Sequence, residues 1–317
     1  MVRRAPRVVA VGDAIVDRIT PPMAYLPRGD FQGHVDGFET LPGGNATNFA
    51  LQIGTLGATT SFVGVLGRDS NADLLREAYR KHGVRAIVRT DSQRPTGATV
   101  ALSWIGGGRA LITSLGANGA FRPEHVPPTA FRGIDHVHRA GFWWTPRMIG
   151  RPTADLLSRA RRAGAGTSLD MSTDPQGWPN DRLQAARLCL PFVDTFFGNE
   201  AEVCALGGDA SPFAAARRIC DLGAKEVVVH RGARGAASIS PDTVVKAGAF
   251  AVREENPTGC GDVFNAGYIY ARLRGDPIAA ALRFANACSA LHIQDRQRPY
   301  PSIAEVRRFL ATRSTEV

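Results

Sequence analysis

Three short stretches hold the residues whose types and spacing could do chemistry. The first is Asn256-Pro257-Thr258-Gly259-Cys260-Gly261-Asp262. Pro257 fixes its own φ and turns Asn256 away from helix. Gly259 and Gly261 permit a tight turn and the close approach of another molecule. The pattern that follows predicts a helix beginning near Asp262, whose unpaired N–H groups point back into the turn and make it an anion site. The same dipoles would stabilise charge developing on a bound phosphoryl group. Asp262 reads either as a first-turn carboxylate or as a catalytic base. Cys260 reads as a reactive thiol at a helix start or as a small residue in a crowded turn. The second stretch, Pro42-Gly43-Gly44-Asn45-Ala46-Thr47-Asn48, again sets paired glycines before a helical run, here 46–57. It reads as a turn with a cap, or as a ligand cradle in which the glycines expose backbone and Asn48 donates and accepts. The third, Gly12-Asp13-Ala14-Ile15-Val16-Asp17, ends an apolar run and carries two carboxylates that a core does not explain.

These stretches must be positioned by strands and helices. Short β-branched runs at 7–12, 61–66, 135–140, 167–170, 193–197 and 226–230 read as strands. Helical spacing marks 71–82, 151–164, 180–190, 199–206 and 212–222, then 261–274, 277–292 and 302–312. This alternation predicts a parallel sheet covered on both faces. Ligands then bind at the carboxyl ends of the strands, where Asp13 and Asp17 fall. Two β-rich runs, 98–104 and 110–115, flank Gly106-Gly107-Gly108 and predict a hairpin. With the alternating stretch 34–41 they predict a small separate sheet, which beside an α/β core often serves as a lid.

The 317 residues are 44% apolar and 21% charged, an ordinary globular composition. The net charge of +9 is carried almost wholly by arginines spread along the chain, a solvated surface rather than the stripe of a nucleic-acid protein. The lysines are Lys81, Lys225 and Lys246, none directly after glycine, which excludes a P-loop. The G-x-G-x-x-G dinucleotide pattern is absent too, since Phe264 fills its third glycine position. Five cysteines without C-x-x-C spacing exclude zinc ribbons and suit a reducing compartment. The N-terminal apolar run is too short for a signal peptide, and nothing approaches a membrane span. A cytoplasmic protein is expected, with no nucleic-acid or membrane partner. His136 and His138 share one strand face without an evident third metal ligand. Trp143, Trp144 and Asp170 follow or end strands and could reach a pocket. Arg109 reads as a solvated hairpin tip.

Taken together, the motifs resemble the ribokinase-like, PfkB-type carbohydrate kinase family over about residues 7–312. Gly43–Asn48 is similar to the family's first signature and Asn256–Asp262, running into Val263–Gly267, to its second. Thr96–Asn118 resembles the lid hairpin, Asn199-Glu200-Ala201-Glu202 the N-x-x-E motif, and Arg231–Gly235 the nucleotide loop. The resemblance implies one three-layer α/β/α domain over 1–317, with a small β-sheet lid inserted at about 14–42 and 96–117. It implies ATP-dependent phosphorylation of a primary hydroxyl on a small polyhydroxylated acceptor, a sugar first and a nucleoside second. A catalytically silent binding protein is disfavoured by the intact motifs. In this resemblance Asp262 is the base, and the N–H groups of Gly259, Cys260 and Gly261 hold the migrating phosphoryl group. Asp17, Gly43, Gly44 and Asn48 bind the acceptor. Asn199, Glu202, Gly232, Gly235, Ala285 and Asn286 bind the nucleotide, with Glu202 organising Mg²⁺ through water. A homodimer through the lid is implied as well. Asn256 stands where K⁺-activated members carry an ion-binding aspartate, which leaves a monovalent-cation requirement open. His230 replaces the family's usual threonine or lysine.

Overall fold

A computed structural model of the chain describes residues 4–26, 29–30, 32–106, 108–253, 255, 257–295 and 299–313. In chain order the first elements are β1 (Arg7–Val11), β2 (Ile15–Ile19), β3 (Glu39–Gly43), α1 (Asn45–Thr55), β4 (Thr59–Leu66), α2 (Ser70–Lys81) and β5 (Val84–Thr90). Next come β6 (Gly97–Ser103), β7 (Arg109–Ser114), β8 (His136–Arg139), α3 (Arg151–Arg162), β9 (Gly166–Asp170), α4 (Asn180–Arg187), β10 (Thr195–Asn199), α5 (Glu200–Gly207) and α6 (Pro212–Asp221). The chain continues through β11 (Glu226–His230), β12 (Ala236–Ile239), β13 (Val244–Ala247), α7 (Cys260–Leu273), α8 (Ile278–Gln294) and α9 (Ile303–Thr312).

Nine strands form one sheet in the order β13-β12-β11-β10-β9-β8-β1-β4-β5. β11 through β5 run parallel in that order, and β12 alone runs the other way, antiparallel to both β11 and β13. Alternate residues of one strand feed two separate cores, as buried parallel strands require. Val8 and Ala10 pack with Phe49, Phe264 and Leu282 from α1, α7 and α8. Val9 and Val11 pack with Leu157, Val203 and Ile219 from α3, α5 and α6. The three-layer α/β/α arrangement is the one expected. The strand order reverses at β1, with β4 on one side and β8 on the other, so a crevice opens beyond their carboxyl ends.

The second sheet, the small separate sheet the sequence predicted, has the order β3-β2-β6-β7 and spans 15–43 and 97–114. Its register sorts the side chains. Asp17 pairs with Leu41 and Thr99, Thr99 with Thr113, and Ala101 with Leu111. Strand alternation therefore puts Asp17, Thr99, Thr113, Leu111 and Arg109 on one face. Leu111 and Arg109 line the main cavity, so this face looks inward. Val100 and Ile112 pair on the opposite face. Among the described residues, no helix is long and apolar enough to cross a membrane.

Candidate active site

The centre of the site is the start of α7. Gly259 has φ 84°, a left-handed conformation that suits glycine. A Cβ there would also lie 2.8 Å from Asn48 Nδ2. That amide donates to Asp262 Oδ2 at 3.0 Å, and Asn48 Oδ1 accepts from the Tyr300 hydroxyl at 2.8 Å. Asp262 thus sits in the first turn without capping its own helix, held from α1 instead. Burial pushes its carboxyl well above the ordinary range, and the negative charges of Asp170, Asp13 and Asp17 add to the rise; the Asn48 hydrogen bond opposes it. The turn before it is pinned by His292, whose Nε2 lies 2.7 Å from the Thr258 carbonyl. Gly261 and Asp262 have first-turn N–H groups with no acceptor inside the helix. The Cys260 N–H, expected among the phosphoryl donors, here donates to the Pro257 carbonyl at 3.3 Å.

The two strand-end carboxylates divide their roles. Gly44, at the N-cap of α1, offers no capping side chain. Asp13 supplies the cap from outside the helix: its carboxylate accepts from the N–H groups of Asn45 at 3.0 Å and Ala46 at 2.9 Å. Asp17 lies on the inward lid face and accepts from the Thr99 hydroxyl; burial, together with Asp13, raises its carboxyl to about 6, while Thr99 and the Arg109 charge pull it down. A Cβ on Gly43 would stand 2.1 Å from Asp17 Oδ2, so glycine at 43 makes room for that carboxylate. Gly44, with φ 94°, threads between the Asp13 carbonyl and the Ile15 N–H.

The far end of the cavity is built on β9, β10 and β11. Asn199 and Glu202 form a reciprocal cap at the start of α5: Asn199 Oδ1 accepts from the Glu202 N–H at 3.0 Å, and Glu202 Oε2 from the Asn199 N–H at 2.8 Å. Glu202 Oε1 accepts from the Thr173 hydroxyl at 2.8 Å. Asp170, raised to about 6 chiefly by burial, accepts from the Ser172 N–H at 2.8 Å and from Asn265 Nδ2 at 2.7 Å. Asn265 Oδ1 in turn lies 2.9 Å from His230 Nε2. Since the amide nitrogen serves Asp170, this oxygen accepts the His230 Nε2 proton. Burial lowers the His230 pKa, and the Glu202 charge and the Asn265 hydrogen bond oppose the drop. The loop after β11 is tied to α5, because both Arg231 and Arg234 pair with Glu200. Gly232 lies open, whereas a Cβ on Gly235 would meet the Ala247 carbonyl at 2.1 Å. Asn286 donates to the carbonyls of Ala247 at 3.2 Å and Gly248 at 2.9 Å.

A cavity of about 720 Å³ joins these ends. Gly259, Cys260, Gly261, Asp262, Asn199, Glu202, Gly232, Gly235 and Asn286 all line it. Asp17, Gly43, Gly44 and Asn48 do not: Asn48 bonds Asp262, Gly43 abuts the Asp17 carboxylate, and Gly44 lies against Asp13 and Ile15. Ala285, expected on the nucleotide side, is instead fully buried where α8 crosses α7, 3.1 Å from the place a Cβ on Gly267 would take. Asn256 lies outside the described residues, and with it the monovalent-cation expectation. Trp144 lines the cavity; Trp143 is core, its Nε1 donating to the Ser172 carbonyl. His136 Nε2 and His138 Nδ1 both bond the Ser168 hydroxyl at 2.7 Å, while His138 Nε2 is buried without a partner. Arg109 is exposed, as read from the sequence, and its Nη1 also donates to the Thr258 hydroxyl at 2.8 Å across the cavity mouth. Arg109, Asn265, Thr173 and Tyr300 are the site residues that sequence reasoning did not find. Each meets its partner over a long separation and leaves no local signal.

No group of three His, Cys, Asp or Glu among the described residues could hold a metal alone. Asp170 and Glu202 nevertheless face one space, and each oxygen already accepts one hydrogen bond. That donor set fits Mg²⁺ carried mainly by water and substrate phosphates.

Comparison with known proteins gives the family of the chain. Two curated relatives are an ATP-dependent ribose-1-phosphate kinase of Halopiger xanaduensis, 28% identical over 97% of this chain and 99% of its own, and a nucleoside kinase of Methanothermobacter thermautotrophicus, 28% identical over 96% of each. Among solved structures, Arabidopsis thaliana ribokinase complexed with ribose and ATP superposes with a TM-score of 0.79 at 26% identity, covering 97% of this chain and 99% of that one. Ribokinase from Thermotoga maritima, at 24% identity, shares the fold with a TM-score of 0.81 over 96% and 99%. The model of the pfkB family carbohydrate kinases matches residues 5–302, nearly the whole chain, and the protein belongs to that family.

Proposed function

We propose that the protein transfers the γ-phosphoryl group of ATP to a primary hydroxyl of a sugar or sugar derivative. The observation that carries this reading is the juxtaposition of Asp262 with a helix start. A buried carboxylate, oriented by Asn48 and raised in basicity, stands in the same first turn as backbone donors suited to a phosphoryl group. Asp262 accepts the proton of the acceptor hydroxyl. The hydroxyl oxygen forms its bond to the γ-phosphorus, the bridging bond to the β-phosphate breaks, and its electron pair leaves with ADP. Asp17, on the lid, orients the acceptor, and the Asn48–Tyr300 pair keeps Asp262 in line. Positioning of this kind supplies most of the acceleration in phosphoryl transfer. Glu202 and Asp170 would hold Mg²⁺ through water, and the ion would neutralise phosphate charge. The loop from Gly232 to Gly235 and Asn286 would receive the nucleotide. Exposed Ile112 on the outward lid face supports a homodimer through the lid.

A nucleoside acceptor is the second reading, favoured by Trp144, whose ring lines the cavity and could stack on a base. ADP release from Mg²⁺ATP across sugars, sugar acids, polyols and nucleosides separates the two. Turnover on sugars supports the first reading, and strongest turnover on nucleosides, lost in Trp144→Ala, supports the second. Silence on every acceptor despite tight ATP binding would reject both.

A further inference from the structure

Arg109 is the one arginine or lysine among the described residues that line the cavity. It forms no ion pair among those residues, although three carboxylates, Asp170, Glu202 and Asp262, share the same wall. It stands at the start of β7 on the inward lid face, so its position depends on where the lid is. Its Nη1 nonetheless reaches across the mouth to Thr258, directly before the Gly259–Gly261 turn, and donates to that hydroxyl at 2.8 Å. A guanidinium has five donors in a rigid fork, and this bond uses one of them. The remaining donors and the charge are left beside the turn that opens α7. Backbone N–H groups face that turn from the helix side only. Among the described lining residues, the lid side offers this one cation.

We infer that Arg109 is a catalytic residue delivered by the lid: docked on Thr258, its guanidinium contacts the phosphoryl group in transit and neutralises charge there. The inference rests on the kinase reading above. It makes charge stabilisation conditional on lid closure, so that ATP without a covered acceptor lacks one of its stabilising groups. Thr258 is the positioning partner that holds the fork in place.

The test compares binding of Mg²⁺ADP with binding of Mg²⁺ADP plus aluminium fluoride, a mimic of the phosphoryl group in transit, by calorimetry. Wild type, Arg109→Gln and Arg109→Lys are measured, with circular dichroism as the folding control. The expected result is unchanged ADP affinity in all three. Tightening by aluminium fluoride is weakened in Arg109→Gln by about 100-fold, the scale seen on removing one preorganised oxyanion donor, and partly restored in Arg109→Lys. Thr258→Val should lose part of the same tightening with the cation intact. Equal tightening in wild type and Arg109→Gln overturns the inference and leaves the kinase reading standing. So does a loss of affinity confined to D-ribose 1-phosphate, not seen with D-ribose, which would assign Arg109 to an anionic acceptor. A wild-type protein that binds neither ADP nor its aluminium fluoride complex overturns the kinase reading and this inference together.

Discussion

Replacing Gly43 by alanine tests whether the lid and the first glycine pair form one acceptor cradle. The new Cβ would stand 2.1 Å from Asp17 Oδ2, 2.5 Å from its Cγ and 2.9 Å from Oδ1, and these three are its nearest neighbours. Ordinary contact needs more than about 3.4 Å, so the carboxylate must retreat by roughly 1 Å or more. Asp17 is 9% exposed and bonded to Thr99, so it has little room. Overpacking of this kind costs about 1–3 kcal/mol. A 1 Å displacement of a substrate-positioning group costs about 100-fold in turnover efficiency. Chemical denaturation of a double-mutant cycle isolates the cause. Gly43→Ala should destabilise the wild type by that amount, but should cost less than about 0.5 kcal/mol in an Asp17→Ala background, where all three clashing atoms are gone. ATP affinity should be unchanged, because Gly43 lies outside the cavity lining. If Gly43→Ala costs the same in both backgrounds, the cradle described here is wrong.

Two further outcomes follow from the electrostatics. Asp262 must be ionised to accept a proton and its pKa is raised, so kcat/KM should climb with pH along a limb above the ordinary carboxylate range. Asp170 is the largest neighbouring charge behind that rise, and Asp170→Asn should move the limb to lower pH, read from pH–rate profiles. Glutamine can serve in the reciprocal cap that Glu202 makes. Glu202→Gln should therefore keep its unfolding midpoint while raising the Mg²⁺ requirement about tenfold, whereas Glu202→Ala should also lose about 1 kcal/mol of stability.

Much of this architecture was legible because it rests on local pattern. The β-branched runs of β1, β4 and β8 to β11 are buried on both faces and the helices between them on one, and their apolar patterns report it. β5 was not legible: its sequence VRAIVRT carries arginines at exposed edge positions, which break the apolar run. β12 and β13 are four residues each, too short to show a period. At the site, the glycine turn and the first-turn aspartate could be read, since their geometry follows from neighbouring residues. Pairings across the chain could not. Nothing near Asp13 indicates that it caps a helix 32 residues later, and nothing near Arg109 indicates Thr258, 149 residues away. His136 and His138 looked like half a metal site because strand alternation puts them on one face. Their shared partner, Ser168, comes from a neighbouring strand.

The central claim is that Asp262 takes the acceptor proton beside the phosphoryl turn. Single-turnover transfer from Mg²⁺ATP by Asp262→Asn, using the best acceptor of the panel, tests it most directly. Asparagine keeps the size of the side chain but cannot take the proton. The account predicts ATP affinity within about twofold of wild type and a transfer rate lower by about 100-fold or more. Transfer at the wild-type rate, with ATP and acceptor still bound, would contradict it.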